Sequence, residues 1–470
     1  MDSESNDQFK DGCGVMGIIG HPEASKMAYL GLHALQHRGQ ESSGIVSSDG
    51  TNFYREVAMG LVADIFTQDK LDKLHGNIAI GHNRYSTTGS SHIKNCQPIL
   101  VDYALGPLAI AHNGNFVNDS ILRDQLEAYG SIFHSTMDTE VMVHLIAKHN
   151  HGQLLDRIIG ALHIIKGAYS IVVMDEKNLF AVRDPAGFRP LLLGKIGDAY
   201  VVASETCAFD LIEAKLVREI EPGELIHITD KGEIKSYHPF PKAKISSCVF
   251  EFVYFARPDS YIFGHHVSEI RRKLGRELAR TTHVDADIVI PIPDSGMQAA
   301  LGYSEESGIP FDLGLTRNHY TGRTFIEPEQ SIRHFGVKLK LNPIRSVIAG
   351  KRVIVIDDSI VRGTTSRKII KMIREAGAKE VHMRISSPPT SYPCYYGIDT
   401  PSRKELIAAT HSIEEITKYI TADSLQYLSI ENMLNVFGEN SKNFCSACFS
   451  GNYPIEFCSD TKTRQMRLFE

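Results

Sequence analysis

Between Cys13 and about Ile234, apolar residues come in short runs: GVMGIIGH, NIAIGHNRYS, LAIAHNGN, YSIVVMD, LFAVRD and YVVASE. Runs of this length, rich in Val, Ile, Tyr and Phe and punctuated by Gly, Asn and Asp, predict β-strands. Helical spacing occurs there over residues 26–36 and 138–148. Residues 235–247, KSYHPFPKAKISS, carry two prolines and little apolar content, so they predict a linker and a boundary near residue 240. Beyond it the pattern changes. The strands ADIVIPIPD, KRVIVIDDS and EVHMRISSP alternate with the amphipathic stretches MQAALGYSEESG and TTSRKIIKMIREAG, which predicts a parallel sheet of βαβ units. No internal repeat argues for a solenoid.

The chain has 470 residues, beyond the size at which one hydrophobic core keeps growing, so two domains of roughly 200 to 250 residues are expected. With 42% hydrophobic and 23% charged residues it reads as globular. The net charge of -6 comes without a basic block, which argues against a nucleic-acid partner. No stretch approaches the roughly 20 apolar residues of a membrane helix, and MDSESNDQFKDG has no signal-peptide pattern. No membrane partner and a cytoplasmic location are the expectation. Eight cysteines in so long a chain are too sparse for a disulfide framework, so any cluster of them points first to metal or catalysis.

Residues 353–366, VIVIDDSIVRGTTS, read as a buried strand ending in Asp357 and Asp358, a turn through Gly363, and a helix starting near Thr364. The free N–H groups and partial positive charge of such a helix start suit a phosphate, with hydroxyls from Thr364, Thr365 and Ser366. The two carboxylates cannot serve that phosphate. They suit ribose hydroxyls and a hard cation such as Mg²⁺; a solvated helix cap is the alternative. The segment closely resembles the phosphoribosyl pyrophosphate loop of type I phosphoribosyltransferases. The resemblance implies that Ser359, Val361, Arg362, Gly363, Thr364 and Thr365 hold the 5′-phosphate, that Asp357 and Asp358 contact ribose and metal, and that Ser295 of PIPDSG lies near the metal. Between the strands, Arg323, Arg333, Lys338 and Lys340 are spaced irregularly among Gly and Pro, as in a mobile loop. Closed over pyrophosphate, such a loop would offset charge on the leaving group; a solvated surface loop is the other reading.

Cys13 follows twelve residues with no structural pattern, which points to a segment removed to leave Cys13 as the N-terminus. Its own α-amine, with a reference pKa of about 7.7 to 8.0, would then accept the thiol proton. A buried structural cysteine is the plainer possibility. CGVMGIIGH, LQHRGQESSGI, GHNRYSTTG, AHNGNFVN and STMDTEV nevertheless occur in the order seen in class II glutamine amidotransferases, which the sequence thereby resembles. That resemblance implies that Arg84 binds the glutamine carboxylate and Asp138 its α-amino group, and that Asn113 and Gly114 form the oxyanion hole.

Cys445 and Cys448 in FCSACF have the C-x-x-C spacing with which one turn presents two thiolates to a metal. Zinc, an iron–sulfur cluster and a redox dithiol all suit this spacing. Cys248 and Cys394 join them by resemblance to the [4Fe–4S] ligands of one amidotransferase subgroup. Cys96, Cys207 and Cys458 match no ligand position, and Cys207 reads as packing against a helix.

With ARPDS, GRTFI and SETCAFD, the two patterns resemble a family that joins both activities in one chain, from Cys13 to FCSACF. The implied fold is a multi-domain α/β chain. A propeptide spans residues 1–12, an N-terminal nucleophile hydrolase αββα sandwich residues 13–240, and a type I phosphoribosyltransferase parallel-sheet domain residues 241–470. The implied substrates are glutamine and phosphoribosyl pyrophosphate, giving 5-phosphoribosylamine at the start of purine synthesis. Mg²⁺, a [4Fe–4S] cluster, feedback by purine nucleotides and a homo-oligomer, dimer or tetramer, are further implications. A regulator that senses the ligand without turnover is the reading from a different class, since fold does not fix function.

Overall fold

The computed structural model describes residues 12–85, 92–149, 152–318, 341–400 and 402–456. In its first half the strands are Gly14–Ile19 (β1), Ser42–Ser48 (β2), Phe53–Met59 (β3), Ile78–Arg84 (β4), Ile99–Tyr103 (β5), Gly106–Phe116 (β6) and Gly167–Met174 (β7). Asn178–Arg183 (β8), Leu192–Ile196 (β9), Ala199–Ala203 (β10), Lys215–Glu219 (β11), Leu225–Thr229 (β12) and Ile234–Tyr237 (β13) follow. They form a seven-stranded sheet, β11-β9-β10-β1-β4-β2-β3, and a six-stranded sheet, β13-β12-β8-β7-β6-β5.

Side chains alternate across a strand, and β1 uses both faces. Val15 and Ile19 pack between the sheets with Val46, Ile80, Ala111 and Val172. Met16 and Ile18 point the other way, onto Ala28 and Leu32 of helix Ala24–Ala34. The outer face of the six-stranded sheet, through Ile110, Tyr169 and Ile171, is covered by helices Asp119–Ala128, Thr139–Lys148 and Leu154–Ile164. The result is the expected helix-sheet-sheet-helix sandwich. Strand β2, SSGIVSS, is buried along its whole length. Pairing with β3 and β4 on its two sides satisfies its backbone, and Ser43 Oγ donates to Asn83 Oδ1 at 2.8 Å. Its serines hide it from any hydrophobic pattern.

In the second half, Ile288–Pro291, Arg352–Asp357, Glu380–Ile385 and Ser424–Tyr427 form a parallel sheet in that order. Helices Val267–Thr281, Met297–Ser307, Thr364–Glu375 and Ile413–Ile420 connect or flank these strands, in agreement with the βαβ expectation. The linker starts later than its sequence implies. Lys235, Ser236 and Tyr237 belong to β13, because backbone pairing with β12 outweighs their polarity. Arg323, Arg333, Lys338 and Lys340 lie outside the described residues, as do Cys458 and residues 1–11.

Candidate active site

Cys13 sits at the entrance to β1, whose first residue, Gly14, pairs with Asn83 of β4. The thiol is buried and donates to the Tyr85 carbonyl at 3.6 Å. Burial pushes its pKa up, while the Tyr85 hydrogen bond and the Arg84 charge oppose this and Asp138 adds to it. Arg84, at the end of β4, is buried and donates to Glu41 Oε1 at 3.0 Å. Asp138 precedes helix Thr139–Lys148 and accepts from the Phe116 N–H at 2.9 Å. Burial alone would raise its pKa, but the adjacent His112 and the N–H groups of Phe116 and Thr139 outweigh that and hold it low. Asp138 thus stays an anion where a cationic amine would need one.

Asn113 and Gly114 lie on β6. Both side-chain polar atoms of Asn113 are buried without a hydrogen-bond partner among the described residues, the state of a donor waiting for a ligand. Gly114 has φ of 145°, and a Cβ there would stand 2.0 Å from the Ala168 carbonyl oxygen, so only glycine fits. Gly397, from the second half, packs its backbone on Gly114 so closely that a Cβ would stand 2.7 Å from the Gly114 Cα. Cys13, Arg84, Asn113 and Asp138 therefore lie near one another, and Gly397 from the second half touches the same spot.

At the other site the strand Arg352–Asp357 delivers Asp357 and Asp358 to its carboxyl end. The Asp358 N–H donates to Asp357 Oδ1 at 2.9 Å, Ser359 Oγ donates to Asp358, and the Ser295 hydroxyl bonds both carboxylates. Burial, then repulsion by Asp358, pushes Asp357 well above the carboxylate range. Two such groups beside one hydroxyl form an oxygen set short of positive charge, which fits a hard cation completed by substrate oxygens. Gly363, at φ 77°, turns the chain into helix Thr364–Glu375, whose first turn carries Thr364 and Thr365. Val361 is buried, so its backbone alone faces the loop. Arg362 pairs with Glu405 at 2.9 Å.

The four cysteines meet at the junction of the halves. Cys248 and Cys445 are register partners in a two-stranded parallel ladder. Tyr396 N–H donates to Cys394 Sγ at 3.3 Å, and Cys448 lies on the turn after Cys445. Each acts on the charge of others: burial first, and then neighbouring thiols, raise Cys445 and Cys448, and burial pushes Cys248 up to about 12. A sulfur-only donor set, with Cys248 and Cys448 buried, Cys394 and Cys445 half-buried and the Arg189 guanidinium near Cys248 and Cys394, suits a thiolate-bound, anionic iron–sulfur group. Among the described residues no three His, Cys, Asp or Glu converge on a single metal-ion position. A cavity of about 810 Å³ lies here, lined by Tyr169, Lys244, Phe444 and Cys445, and not at Cys13 or Asp357. Cys207 packs against the end of helix Ala24–Ala34, as expected, and Cys96 lies against Met59.

Sequence reasoning missed Arg38, Glu251 and Arg189, although Arg38 lies within LQHRGQESSGI and Glu251 shortly before ARPDS. Nothing in their spacing announces that they are buried together.

Fold and sites define a glutamine-dependent transferase acting on a phosphoribosyl substrate. Residues 82–210 match the glutamine amidotransferase domain model and residues 266–386 the phosphoribosyl transferase domain model. Amidophosphoribosyltransferase 1, chloroplastic, of Arabidopsis thaliana is 53% identical over 96% of this chain and 80% of its own length. Amidophosphoribosyltransferase of Bacillus subtilis is 50% identical over 96% of this chain and 95% of its own. The solved glutamine phosphoribosylpyrophosphate amidotransferase of B. subtilis, complexed with ADP and GMP, superposes with a TM-score of 0.91 over 95% of this chain and 98% of that one. The chain belongs to the amidophosphoribosyltransferase family. It transfers the amide nitrogen of glutamine to phosphoribosyl pyrophosphate, the first step of purine biosynthesis.

Proposed function

We propose that residues 13–240 form the glutaminase half and residues 241–470 the transferase half, with Cys13 as nucleophile once residues 1–12 are removed. The observation that carries this is the convergence of Cys13, Arg84, Asn113, Gly114 and Asp138 at the start of β1. The free α-amine takes the thiol proton, and Sγ attacks the amide carbon of glutamine. Asn113 and the Gly114 N–H stabilise the oxyanion, the amine returns its proton to the leaving nitrogen, and water hydrolyses the thioester to glutamate. Arg84 matches the substrate carboxylate and Asp138 its ammonium.

In the transferase half, the N–H groups from Ser359 to Thr365 hold the 5′-phosphate, and Asp357 and Asp358 orient the ribose. Ammonia attacks C1 as pyrophosphate leaves. Arg323, Arg333 and Lys338 are the cations that would cover the leaving group. Asp357, Asp358 and Ser295 would hold Mg²⁺, which supplies charge neutralisation to the pyrophosphate oxygens. Cys248, Cys394, Cys445 and Cys448 would hold a [4Fe–4S] cluster.

The B. subtilis relative carries ADP and GMP, which supports feedback by purine nucleotides; a homo-oligomer is proposed alongside it. Among the described residues no helix is long and apolar enough to cross a membrane. A cytoplasmic location is the proposal, and cell fractionation separates it from the chloroplast address in the Arabidopsis name.

Cys13→Ala tests the assignment. Glutamine-dependent turnover should vanish while turnover with concentrated ammonia persists, since only the nitrogen source is lost. Retained glutamine use would overturn it.

A further inference from the structure

Arg38, Arg189, Glu205 and Glu251 lie wholly inside the protein where the halves meet, none more than 1% exposed. Two charges of each sign leave the group neutral, yet desolvating four ions is costly unless each is fully paired. Arg38 Nη1 and Nη2 donate to Glu251 Oε2 and Oε1, both at 2.8 Å, and Nη1 also donates to Glu205 Oε1 at 2.6 Å. The remaining nitrogen, Nε, donates to the carbonyl oxygen of Cys13 at 3.0 Å. From the opposite side Arg189 donates to Glu251 Oε1 at 3.0 Å and, through Nε and Nη2, to the Tyr396 carbonyl at 3.1 and 2.8 Å.

Glu251 opens a single π-helical turn, Glu251–Phe255, a rare form that recurs at functional sites. Arg271 anchors this turn by donating to the carbonyls of Phe252, Tyr254 and Ala256 at 2.7, 2.9 and 2.8 Å. The carboxylate is therefore fixed by the second half of the chain, and its bidentate grip fixes the plane of Arg38. With that plane goes Nε, and with Nε the Cys13 carbonyl, in the same residue as the nucleophilic sulfur.

The geometry points to Glu251 as a positioning residue, supplied by the transferase half, that sets where Cys13 Sγ stands in the glutaminase half. This rests on the reading of Cys13 as the nucleophile. Glu251 touches neither substrate and acts through Arg38. Arg84 and Asp138, which belong to glutamine binding, are not among its partners. Its loss should therefore reach kcat and spare KM, as misplacement of a reacting atom by about 1 Å costs on the order of 100-fold in rate.

The test compares Glu251→Gln, which keeps the shape and drops the charge, with Glu251→Asp, which keeps the charge and draws it back by one methylene. Both are made in a chain that starts Met-Cys13, its mature N-terminus checked by mass to show the initiator Met removed, so that removal of residues 1–12 does not enter, and Cys13→Ala is the control. Glu251→Gln should lower glutamine kcat roughly 100-fold, with glutamine KM and ammonia-dependent turnover each within about threefold of the parent. Iodoacetamide labelling of Cys13, followed by mass, should change in rate, and Glu251→Asp should fall between. Unchanged glutamine kcat in both variants overturns the inference. So does a joint loss of glutamine and ammonia turnover with an early melt, which marks a purely structural residue. Glutamine use surviving in Cys13→Ala would overturn the nucleophile reading instead, a separate outcome.

Discussion

Cys248 and Cys445, 197 positions apart in the chain, face each other as register partners on adjacent parallel strands. A two-residue ladder is far too short to be stable by itself. Something beyond its own backbone bonds holds Ser247–Cys248 and Phe444–Cys445 side by side, and a group bridging their sulfurs would do so. Protein purified without oxygen should be brown and contain iron and sulfide, and Cys445→Ser should lose both along with part of its thermal stability. Colourless protein with one zinc per chain would refute the cluster.

Burial is the largest cause that pushes Asp357 and Asp358 up, and the charge of Asp358 adds to it at Asp357. A divalent cation bound there would offset that charge. Asp357→Asn should lower turnover roughly 100-fold or more with glutamine and with ammonia alike, because the proposed metal and ribose site would serve both nitrogen sources. Full ammonia-dependent turnover in this variant would contradict the assignment.

Gly114 has no room for a methyl group against Ala168, and its φ is one that L residues avoid. Gly114→Ala should cost about 2 kcal/mol of stability from backbone strain and about 100-fold in glutamine kcat through a displaced oxyanion donor. Gly397→Ala presses on the same atoms from the transferase half and should repeat the kinetic defect. Denaturant melts and steady-state kinetics measure the two effects separately.

Burial would raise Glu205, yet His37 and Arg38 beside it outweigh burial and hold its carboxyl far below the ordinary 4.5. A depressed carboxylate contributes stability that is complete above its unfolded pKa and drains away as pH falls toward the folded value. The melting temperature gap between the parent and Glu205→Gln should therefore be widest near pH 7 and narrow as pH falls from about 5 to 3. A gap independent of pH would remove the ionic account.

Much of this architecture could be read from the residues. Strand runs such as YSIVVMD and KRVIVIDDS carry their period openly, and both site loops sit at the ends of such strands. Strands β2 and β13 escaped because SSGIVSS and IKSY look like loops until neighbouring backbones are present to pair with them. Helices Asp119–Ala128 and Leu154–Ile164 escaped as well, their apolar stripes being interrupted by charge. The Arg38 and Glu251 pair could not be foreseen for a different reason: sequence records that a residue is charged and is silent on whether water reaches it.

Chain ends usually fray, but the strand that begins at Gly14 lies inside a sheet, paired to β10 on one side and β4 on the other. A newly exposed N-terminus at Cys13 would consequently stand one residue before a strand held from both sides. An end anchored in this way would loosen with the opening of the strands on either side rather than fray like a free tail.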